Sequence, residues 1–235
     1  MATAVASQEF NGTNERLARD STTGPPKDVT YGFCLVCWWA SDDVSGGSKY
    51  PISFGNDAGG QNTYFATRTN GGDLYVIIRV NEAAFDPEIA QAISNDTWYF
   101  TVTECASATD RRTFVNSVQQ GNTDTTSQDI VSFKSLLEYT VLGSSHQPFD
   151  YFNAFPGRIA FARVFNKTLS EAEKTQLQWN PWSVVDDILW APNLLIPASA
   201  VTDFKDYSGL GYDINDGTLP DISTDGPKVY HYGGG

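Results

Sequence analysis

Oxygen-bearing side chains cluster in one short stretch near the end of this sequence. Asp213, Asn215 and Asp216 fall within four positions and are followed by Gly217. Carboxylate and amide oxygens in a tight turn are ligands that Ca²⁺ accepts. Asp and Asn are also common turn-forming residues, and the stretch lacks a full ligand set. The three residues are therefore candidates for a calcium site, with a simple turn as the alternative, and no other cofactor is expected.

The other residues that could do covalent chemistry do not form a catalytic pattern. The two histidines, His146 and His231, lie outside any nucleophile motif, and we expect both to be exposed in loops. A glycosidase on a β-sheet would carry carboxylates at alternate positions of one strand, where they share a face. Glu104 instead stands alone at the end of a candidate strand. The sequence therefore predicts a protein that is not an enzyme.

The three cysteines are interpreted as buried apolar residues. Cys34 and Cys37 are three positions apart, and on a strand such residues face opposite sides, so one metal ion or one disulfide cannot easily use both. Cys105 has no nearby partner. Unpaired cysteine behaves as a small hydrophobic side chain, which fits a core position.

Charge and composition narrow the function classes further. The 235 residues include 15 Lys and Arg against 28 Asp and Glu, a formal net charge of −13. That charge repels a phosphate backbone, so nucleic acid is excluded as a partner. Apolar runs are too short to span a bilayer, so membrane insertion is not expected. The N-terminus has no basic segment followed by a long apolar one, and we predict no secretory signal.

Apolar residues alternate mainly with a period of two, which is typical of β-strands. The run from Tyr31 to Ala40 is apolar throughout and predicts a strand that is buried on both faces. Gly, Asn, Asp and Ser clusters separate the strands, which predicts an all-β antiparallel sandwich or jelly roll. The other candidate strands are Leu74–Val80, Trp98–Cys105, Thr113–Asn116, Tyr139–Gly143 and Arg158–Phe165.

One helix has a clear start signal. Ser170 and Glu173 form a capping box, and the helix is predicted to continue to about Trp179, before Pro181. Trp179, Pro181 and Trp182 lie where the sandwich pattern ends, and we predict that they pin the C-terminal arm to the sandwich or touch a neighbouring subunit. Trp38, Trp98 and Phe161 lie in strand patterns and are predicted to be core residues, whereas loop aromatics such as Tyr64, Tyr151 and Phe152 could contact a ligand.

Several segments in order resemble laminin-G-like domains. Residues 10–15 are similar to their Phe-Asp-Gly strand, residues 31–39 to their second signature strand, and residues 95–103 to a Trp-containing strand whose two histidines are absent here. Residues 155–173 resemble the closing strand and helix, down to Val-Phe-Asn-Lys-Thr-Leu-Ser-Glu-Ala-Glu. The resemblance implies the concanavalin A-like jelly roll, two antiparallel sheets with one or two short helices, over residues 1–180.

Residues 181–235 are predicted to form an irregular C-terminal arm. Residues 206–219 are similar to a segment that normally precedes the Phe-Asp-Gly strand of these domains. Three interpretations follow: the arm completes its own sandwich as in a circular permutation, it completes a neighbouring subunit, or the likeness is chance.

The Asn180-Pro181-Trp182 step resembles laminin-G-like proteins encoded by tailed bacteriophages. That resemblance implies a virion protein made in the host cytoplasm, a capsid decoration or fibre component that contacts other capsid or tail proteins and forms a homo-oligomer. The alternative is a lectin-like adhesin that binds a cell-surface glycan. Fold resemblance does not by itself decide between them.

Overall fold

The fold is described from a computed structural model that places residues 2–20, 24–56, 63–80, 83–85, 91–125, 129–147 and 150–230. Alternating and continuous apolar stretches form strands, and the Gly- and Asn-rich segments between them form turns. The strands up to the middle of the chain are β1 (Ala2–Ala4), β2 (Ser7–Asn11), β3 (Arg16–Asp20), β4 (Phe33–Ser41), β5 (Lys49–Gly55), β6 (Tyr64–Asn70), β7 (Asp73–Val80), β8 (Ala83–Phe85), β9 (Gln91–Ala92) and β10 (Tyr99–Ser107). The later strands are β11 (Asp110–Val115), β12 (Val118–Asp124), β13 (Tyr139–Leu142), β14 (Ser145–Gln147), β15 (Asp150–Phe152), β16 (Pro156–Phe165), β17 (Ile188–Trp190), β18 (Asp216–Thr218), β19 (Asp221–Ser223) and β20 (Lys228–Tyr230).

Helical segments are short and few in the part of the chain that the structure describes. The α-helices are α1 (Pro25–Asp28) and α2 (Glu171–Trp179), and single 3₁₀ turns occur at Lys134–Leu136 and Val201–Asp203. None of the helices among the placed residues has the length and apolar character that crossing a bilayer requires. The predicted all-β class with one or two short helices is confirmed.

Two antiparallel sheets form the sandwich. Sheet I has the strand order β12-β11-β10-β4-β16-β2-β19, with β17 also paired to β16. Sheet II has the order β18-β3-β13-β5-β6-β7-β8, with β9 also paired to β7. Two further pairs, β1 with β20 and β14 with β15, lie outside these sheets. The predicted jelly-roll sandwich of two antiparallel sheets is confirmed.

The central strand β4 shows why its sequence is apolar at every position. Phe33, Leu35 and Trp39 belong to the large cluster that also contains inward residues of sheet II, such as Phe54 and Phe65. The alternate residues of β4, Cys34, Val36 and Trp38, belong to a second cluster on the outer face of sheet I. Helix α2 and the arm cover this second cluster. The prediction of a strand buried on both faces is confirmed, because all nine residues of β4 are buried.

The arm contributes strands to both sheets of the same chain. β18 pairs with β3 at one edge of sheet II, and β19 pairs with β2 at the edge of sheet I. The indole of Trp190 is fully buried, and its Nε1 donates to the carbonyl of Tyr212 at 2.8 Å. Two sheet edges that β2 and β3 would otherwise expose are thereby paired. The division of the chain at residue 180 stays a prediction.

Candidate functional site

An open aromatic cleft lies on the outer face of sheet I, beside the end of α2. Its volume is about 240 Å³. We call it the tryptophan cleft. It is lined by Trp38, Trp98, Tyr99, Phe100, Asn116, Gln178, Trp179, Pro227 and Lys228.

Helix α2 places Trp179 at the cleft. Ser170 Oγ accepts from the Glu173 amide at 3.3 Å, and the Glu173 carboxylate accepts from the Ser170 amide at 2.8 Å, so the predicted capping box is confirmed. The inward face of the helix buries Lys174 and Leu177. Trp179 is the last helical residue and therefore projects from the end of a helix that is fixed at its start.

Of the three indoles that line the cleft, Trp179 is accessible to solvent and Trp98 has a ring nitrogen that is unpaired within the placed part of the chain. Trp179 is 45% exposed, which is unusual because tryptophan, the largest amino-acid side chain, is highly buried on average. Trp98 is partly buried against the outer cluster, and its Nε1 has no hydrogen-bond partner among the described residues. Trp98 was predicted to be a core residue; the structure places it just before β10, at the margin of the core, where it also lines the cleft.

Two amide side chains are held in the cleft wall through their oxygens. Asn116 Oδ1 accepts from the Phe100 amide at 3.2 Å, and Gln178 Oε1 accepts from the Ser117 hydroxyl at 2.7 Å. These bonds orient both side chains, because the carbonyl end of each amide is committed. Within the described part of the chain, the amide nitrogens therefore remain available as donors to a ligand. Lys228 adds an exposed amine.

The two indoles of the segment 179–182 lie in different surroundings, because only Trp179 lines the cleft. Pro181 is buried, and Trp182, which is 39% exposed, packs edge-to-face on Phe161 with ring centroids 5.1 Å apart. Trp179 lines the cleft together with Pro227 and Lys228 of the arm. The predicted role of these residues in arm docking stays a prediction, although Trp179 does share a cavity with arm residues.

The three calcium candidates hold the arm in hydrogen bonds. Asp213 accepts from the Asp206 amide at 2.8 Å and from Lys205 Nζ at 3.0 Å. Asn215 exchanges two hydrogen bonds with the backbone of Asp20, at 2.8 and 2.7 Å. Burial opposes ionisation of Asp213, but the Asp206 amide and Lys205 hold its pKa below the usual value. No group of three or more His, Cys, Asp or Glu side chains suited to a metal ion is found among the described residues.

Asp216 instead lies behind a wall residue of a second cavity, on the outer face of sheet II. It accepts a hydrogen bond from the hydroxyl of Tyr151, which lines this cavity. We call it the Arg16 pocket. Its volume is about 260 Å³, and its lining is Thr13, Asn14, Glu15, Arg16, Ser144, Tyr151, Asn153 and Ala154. The loop prediction for three aromatic residues was wrong: Tyr64 is buried in β6, and Tyr151 and Phe152 lie in β15. Tyr151 nevertheless lines this cavity, and Phe152 is 43% exposed.

His146 corrects a prediction. It was expected in an exposed loop, but it is 4% exposed and its ring stacks on Tyr139 with centroids 3.8 Å apart. Its Nδ1 lies 2.9 Å from the carbonyl oxygen of Asn56. The reason is that His146 lies in the β14–β15 hairpin, and β14 lies against β5. His231 lies outside the described residues.

The three cysteines and Glu104 are buried in the interior of the protein and line neither of the two described cavities. Cys34, Cys37 and Cys105 are buried and unpaired, as predicted. Burial raises the pKa of the Cys105 thiol to about 12, so the thiol stays protonated and unreactive. Glu104 is 1% exposed, and its carboxylate lies 2.8 Å from Lys174 Nζ. The sequence did not show the partner of Glu104, because Lys174 lies 70 positions away.

Three of the solved structures with a similar fold belong to carbohydrate-active proteins. A carbohydrate-binding module of a Ruminococcus gnavus sialidase, bound to α2,3-sialyllactose, is 16% identical and has a TM-score of 0.58, covering 74% of this chain and 98% of the module. Domain 4 of an extracellular arabinanase from Geobacillus stearothermophilus, in complex with arabinotriose, is 14% identical and has a TM-score of 0.55, covering 73% of this chain and 75% of that domain. A sialidase from Streptococcus pneumoniae is 16% identical with a TM-score of 0.56, covering 87% of this chain and 29% of that enzyme.

At these identities the likeness shows the shared fold alone. A comparison with curated protein sequences gives no significant match. A family model, in contrast, matches residues 16–173, which is most of the chain and includes the central strands of both sheets and the start of α2. The protein belongs to the concanavalin A-like lectin/glucanase superfamily.

Proposed function

We propose that the protein is a glycan-binding module and that the tryptophan cleft is its binding site. The observation that carries the proposal is the half-exposed indole of Trp179, which shares a cavity with Trp98 and with two oriented amide donors. A buried core needs no such exposure, and an isolated surface residue would not have a preformed cavity beside it.

The cleft offers the two kinds of contact that a sugar needs. The C–H face of a pyranose or furanose ring is apolar and packs against an indole, whose ring also carries a negative face toward the partially positive hydrogens. The sugar hydroxyls can accept from the amide nitrogens of Asn116 and Gln178. Both contacts converge on one cavity, so a single sugar unit can use them together.

The charge of the cleft allows an acidic sugar as well as a neutral one. No Asp or Glu belongs to its described lining, whereas Lys228 does. The chain as a whole carries a net charge of −13, so a cleft edged by a cation is a local exception. A carboxylated sugar is attracted to such an amine.

The comparisons support a carbohydrate ligand without fixing which one. The sialidase module is described with α2,3-sialyllactose and the arabinanase domain with arabinotriose, an acidic and a neutral oligosaccharide. Both resemble this chain over about three quarters of its length. We therefore propose binding without turnover, and incubation of either oligosaccharide with the protein should release no reducing sugar.

Calorimetric titration with sialyllactose and with arabinotriose, after a glycan array has ranked the ligands, tests the proposal. Trp179→Ala should weaken binding by about tenfold or more, which corresponds to about 1.4 kcal/mol. Trp182→Ala is the matched control, since Trp182 is similarly exposed but packs on Phe161 outside the cleft lining. Equal loss in both variants, or no glycan bound at all, contradicts the proposal.

A role as a virion accessory protein is the second candidate. Several large apolar side chains of the arm are exposed, at 39 to 70%. They are Trp182, Val185, Tyr207, Leu210 and Ile222. Exposed apolar side chains of this size favour protein–protein contacts, such as those with capsid or tail proteins or a second copy. Mass spectrometry of purified particles tests this role, which the protein's absence from them would contradict; glycan binding is compatible with it.

A further inference from the structure

The Arg16 pocket lies on the opposite side of the sandwich from the tryptophan cleft. In β3, Leu17 belongs to the core between the sheets, so its neighbour Arg16 faces the outside of sheet II. In β4 and β10, Trp38 and Phe100 face the outside of sheet I and line the cleft. The two cavities therefore open on opposite outer faces of the molecule.

Arg16 is held rigidly at the pocket. Its guanidinium carbon lies 3.8 Å from the centroid of the Tyr151 ring, and its Nη1 donates to the carbonyl of Asn14 at 3.1 Å. Its buried Nε has no hydrogen-bond partner among the described residues. Tyr151 is fixed in turn, because its hydroxyl donates to Asp216 and its ring meets His146 edge-to-face at 4.5 Å. Such a support fixes the position of the guanidinium before any ligand arrives.

The turn between β2 and β3 presents the remaining polar groups. Asn11 Oδ1 accepts from the amides of Thr13 and Asn14, at 2.8 and 3.2 Å. The Asn11 amide donates to Glu15 Oε2 at 2.6 Å, which leaves Glu15 Oε1 as an acceptor. Asn14 Oδ1 accepts from Asn11 Nδ2 at 3.2 Å, which leaves the amide nitrogen of Asn14 as a donor. Burial raises the pKa of Glu15 above its ordinary value.

The mixture of groups selects the ligand class. A simple anion would be attracted to Arg16 but would also meet the carboxylate of Glu15 in the lining and that of Asp216 behind Tyr151. A pair of vicinal hydroxyls suits both signs of charge, because one hydroxyl can donate to Glu15 while the other accepts from Arg16 or Asn14. The volume of about 260 Å³ lies just below the range for drug-sized ligands, about 300–1,000 Å³, and suits one sugar unit.

We propose that the Arg16 pocket is a second carbohydrate site, specific for the unmodified vicinal hydroxyls of a neutral sugar unit. The proposal shares only the ligand class with the proposed function, and it makes the module bivalent, with one site on each outer face. A bivalent module can bridge two glycan chains and gains avidity on a surface that presents many copies.

The first experiment maps binding of neutral sugars by ¹H–¹⁵N NMR on the full chain, with D-galactose, D-glucose and arabinotriose as probes. At least one probe should shift amide resonances of residues 13–16 and 151–153. Arg16→Gln should weaken that binding by about tenfold or more. A second variant, Thr13→Tyr, covers the case in which Arg16→Gln perturbs folding. Its larger side chain fills the edge of the pocket but keeps the hydrogen bond from the backbone amide of residue 13 to Asn11, and it should weaken sugar binding by a similar factor. Arg112→Gln is the matched control, because Arg112 lies on sheet I beside Asp110.

Failure of this inference and failure of the proposed function give different results. If Trp179→Ala leaves the shifts at residues 13–16 unchanged while Arg16→Gln removes them, the second site is supported whatever happens at the cleft. If Arg16→Gln and Thr13→Tyr both bind as the wild type does, or if no probe shifts these resonances, the inference is overturned and the cleft is unaffected. Displacement of the neutral sugar by sulfate would show an anion site and would also overturn the proposed ligand class.

Discussion

Lys174 Nζ in α2 lies 2.8 Å from Glu104 Oε1 in β10, and the two side chains are only 4% and 2% exposed. Lys174 also donates to the carbonyl of Leu169, and its amine lies 3.7 Å from the centroid of the Phe114 ring. The Leu169 amide donates to the same Glu104 oxygen at 3.1 Å. This buried group fixes the start of the helix on the outer face of sheet I, and so it sets where Trp179 stands at the other end.

Breaking this ion pair should destabilise the fold and disturb the cleft. Lys174→Met leaves the Glu104 carboxylate buried without its cation, and we expect a loss of about 3–5 kcal/mol in the free energy of unfolding. Urea unfolding followed by fluorescence measures it. Lys205→Met is the matched control: Lys205 and Asp213 form a 3.0 Å pair with 58% and 37% exposure, and we expect a loss of about 0–1 kcal/mol.

A double variant separates the cost of the unpaired charge from the value of the pair. Glu104→Gln with Lys174→Met removes both charges, and we expect it to recover part of the stability that Lys174→Met alone loses. A double variant less stable than Lys174→Met would contradict this expectation, because the remaining bond from the Leu169 amide to Glu104 would then outweigh the cost of the uncompensated charge.

Glu173 should make stability depend on acid pH. The hydrogen bond from Lys167 lowers the pKa of Glu173 and outweighs the effect of desolvation, which raises it. With the hydrogen bonds from Ser170, the pKa of Glu173 falls to about 2. The folded state therefore binds this proton less readily than the unfolded state, so the stabilisation is complete above the unfolded pKa of about 4.3 and disappears as pH falls toward about 2. Glu173→Gln should reduce the slope of unfolding free energy against pH in that window. An unchanged slope would contradict the assignment.

Local sequence patterns predicted the elements whose signal lies among neighbouring residues. The apolar run at β4, the turn followed by a β-rich run at β7, the apolar–polar alternation at β10 and β16, and the capping box of α2 each depend on neighbours within a few positions. β5 and β6 went unrecognised, since their buried Ser53, Thr67 and Thr69 make them look polar. Thr67 is tolerated inside because its hydroxyl lies 2.9 Å from that of Thr103 on the other sheet, and no local pattern shows such a pairing.

The candidate sites could be predicted only in pieces. The tryptophan cleft combines residues 38, 98–100, 116, 178–179 and 227–228, which come together through the pairing of distant strands. The sequence indicated Trp179 as a junction residue and Tyr151 as an aromatic residue that could contact a ligand, but it did not show their cavities, and it placed Tyr151 in a loop and not in β15. The prediction that His146 is exposed was wrong for the same reason. Tyr139 and Tyr151 bury its ring, and they reach it only because the β14–β15 hairpin folds onto sheet II.

Gly217 links the arm to the Arg16 pocket. It has φ +138°, and a Cβ at this position would lie 2.2 Å from the carbonyl oxygen of Arg16. Gly217→Ala should therefore push β18 away from β3, with a loss of about 1–3 kcal/mol in stability and weaker sugar binding at the pocket. Gly47→Ala is the control, because nothing lies within 4 Å of its Cβ position, and we expect a change within about 0.5 kcal/mol. Equal effects of the two substitutions would contradict the contact.

Removal of the arm tests whether its strands stabilise the chain to which they belong. Deleting residues 186–235 leaves β2 and β3 as open edges and removes the buried Trp190 and Phe204 from the core. Open strand edges and exposed apolar surface favour association, so light scattering should show a much larger mass for the truncated protein than for the full chain. If neighbouring subunits exchange arms, the full chain should instead already be a defined oligomer before truncation, because each arm would complete the sheets of a partner. A truncated protein that stays as stable as the full chain and keeps its association state would contradict both arrangements, because in each the arm strands complete the two sheets.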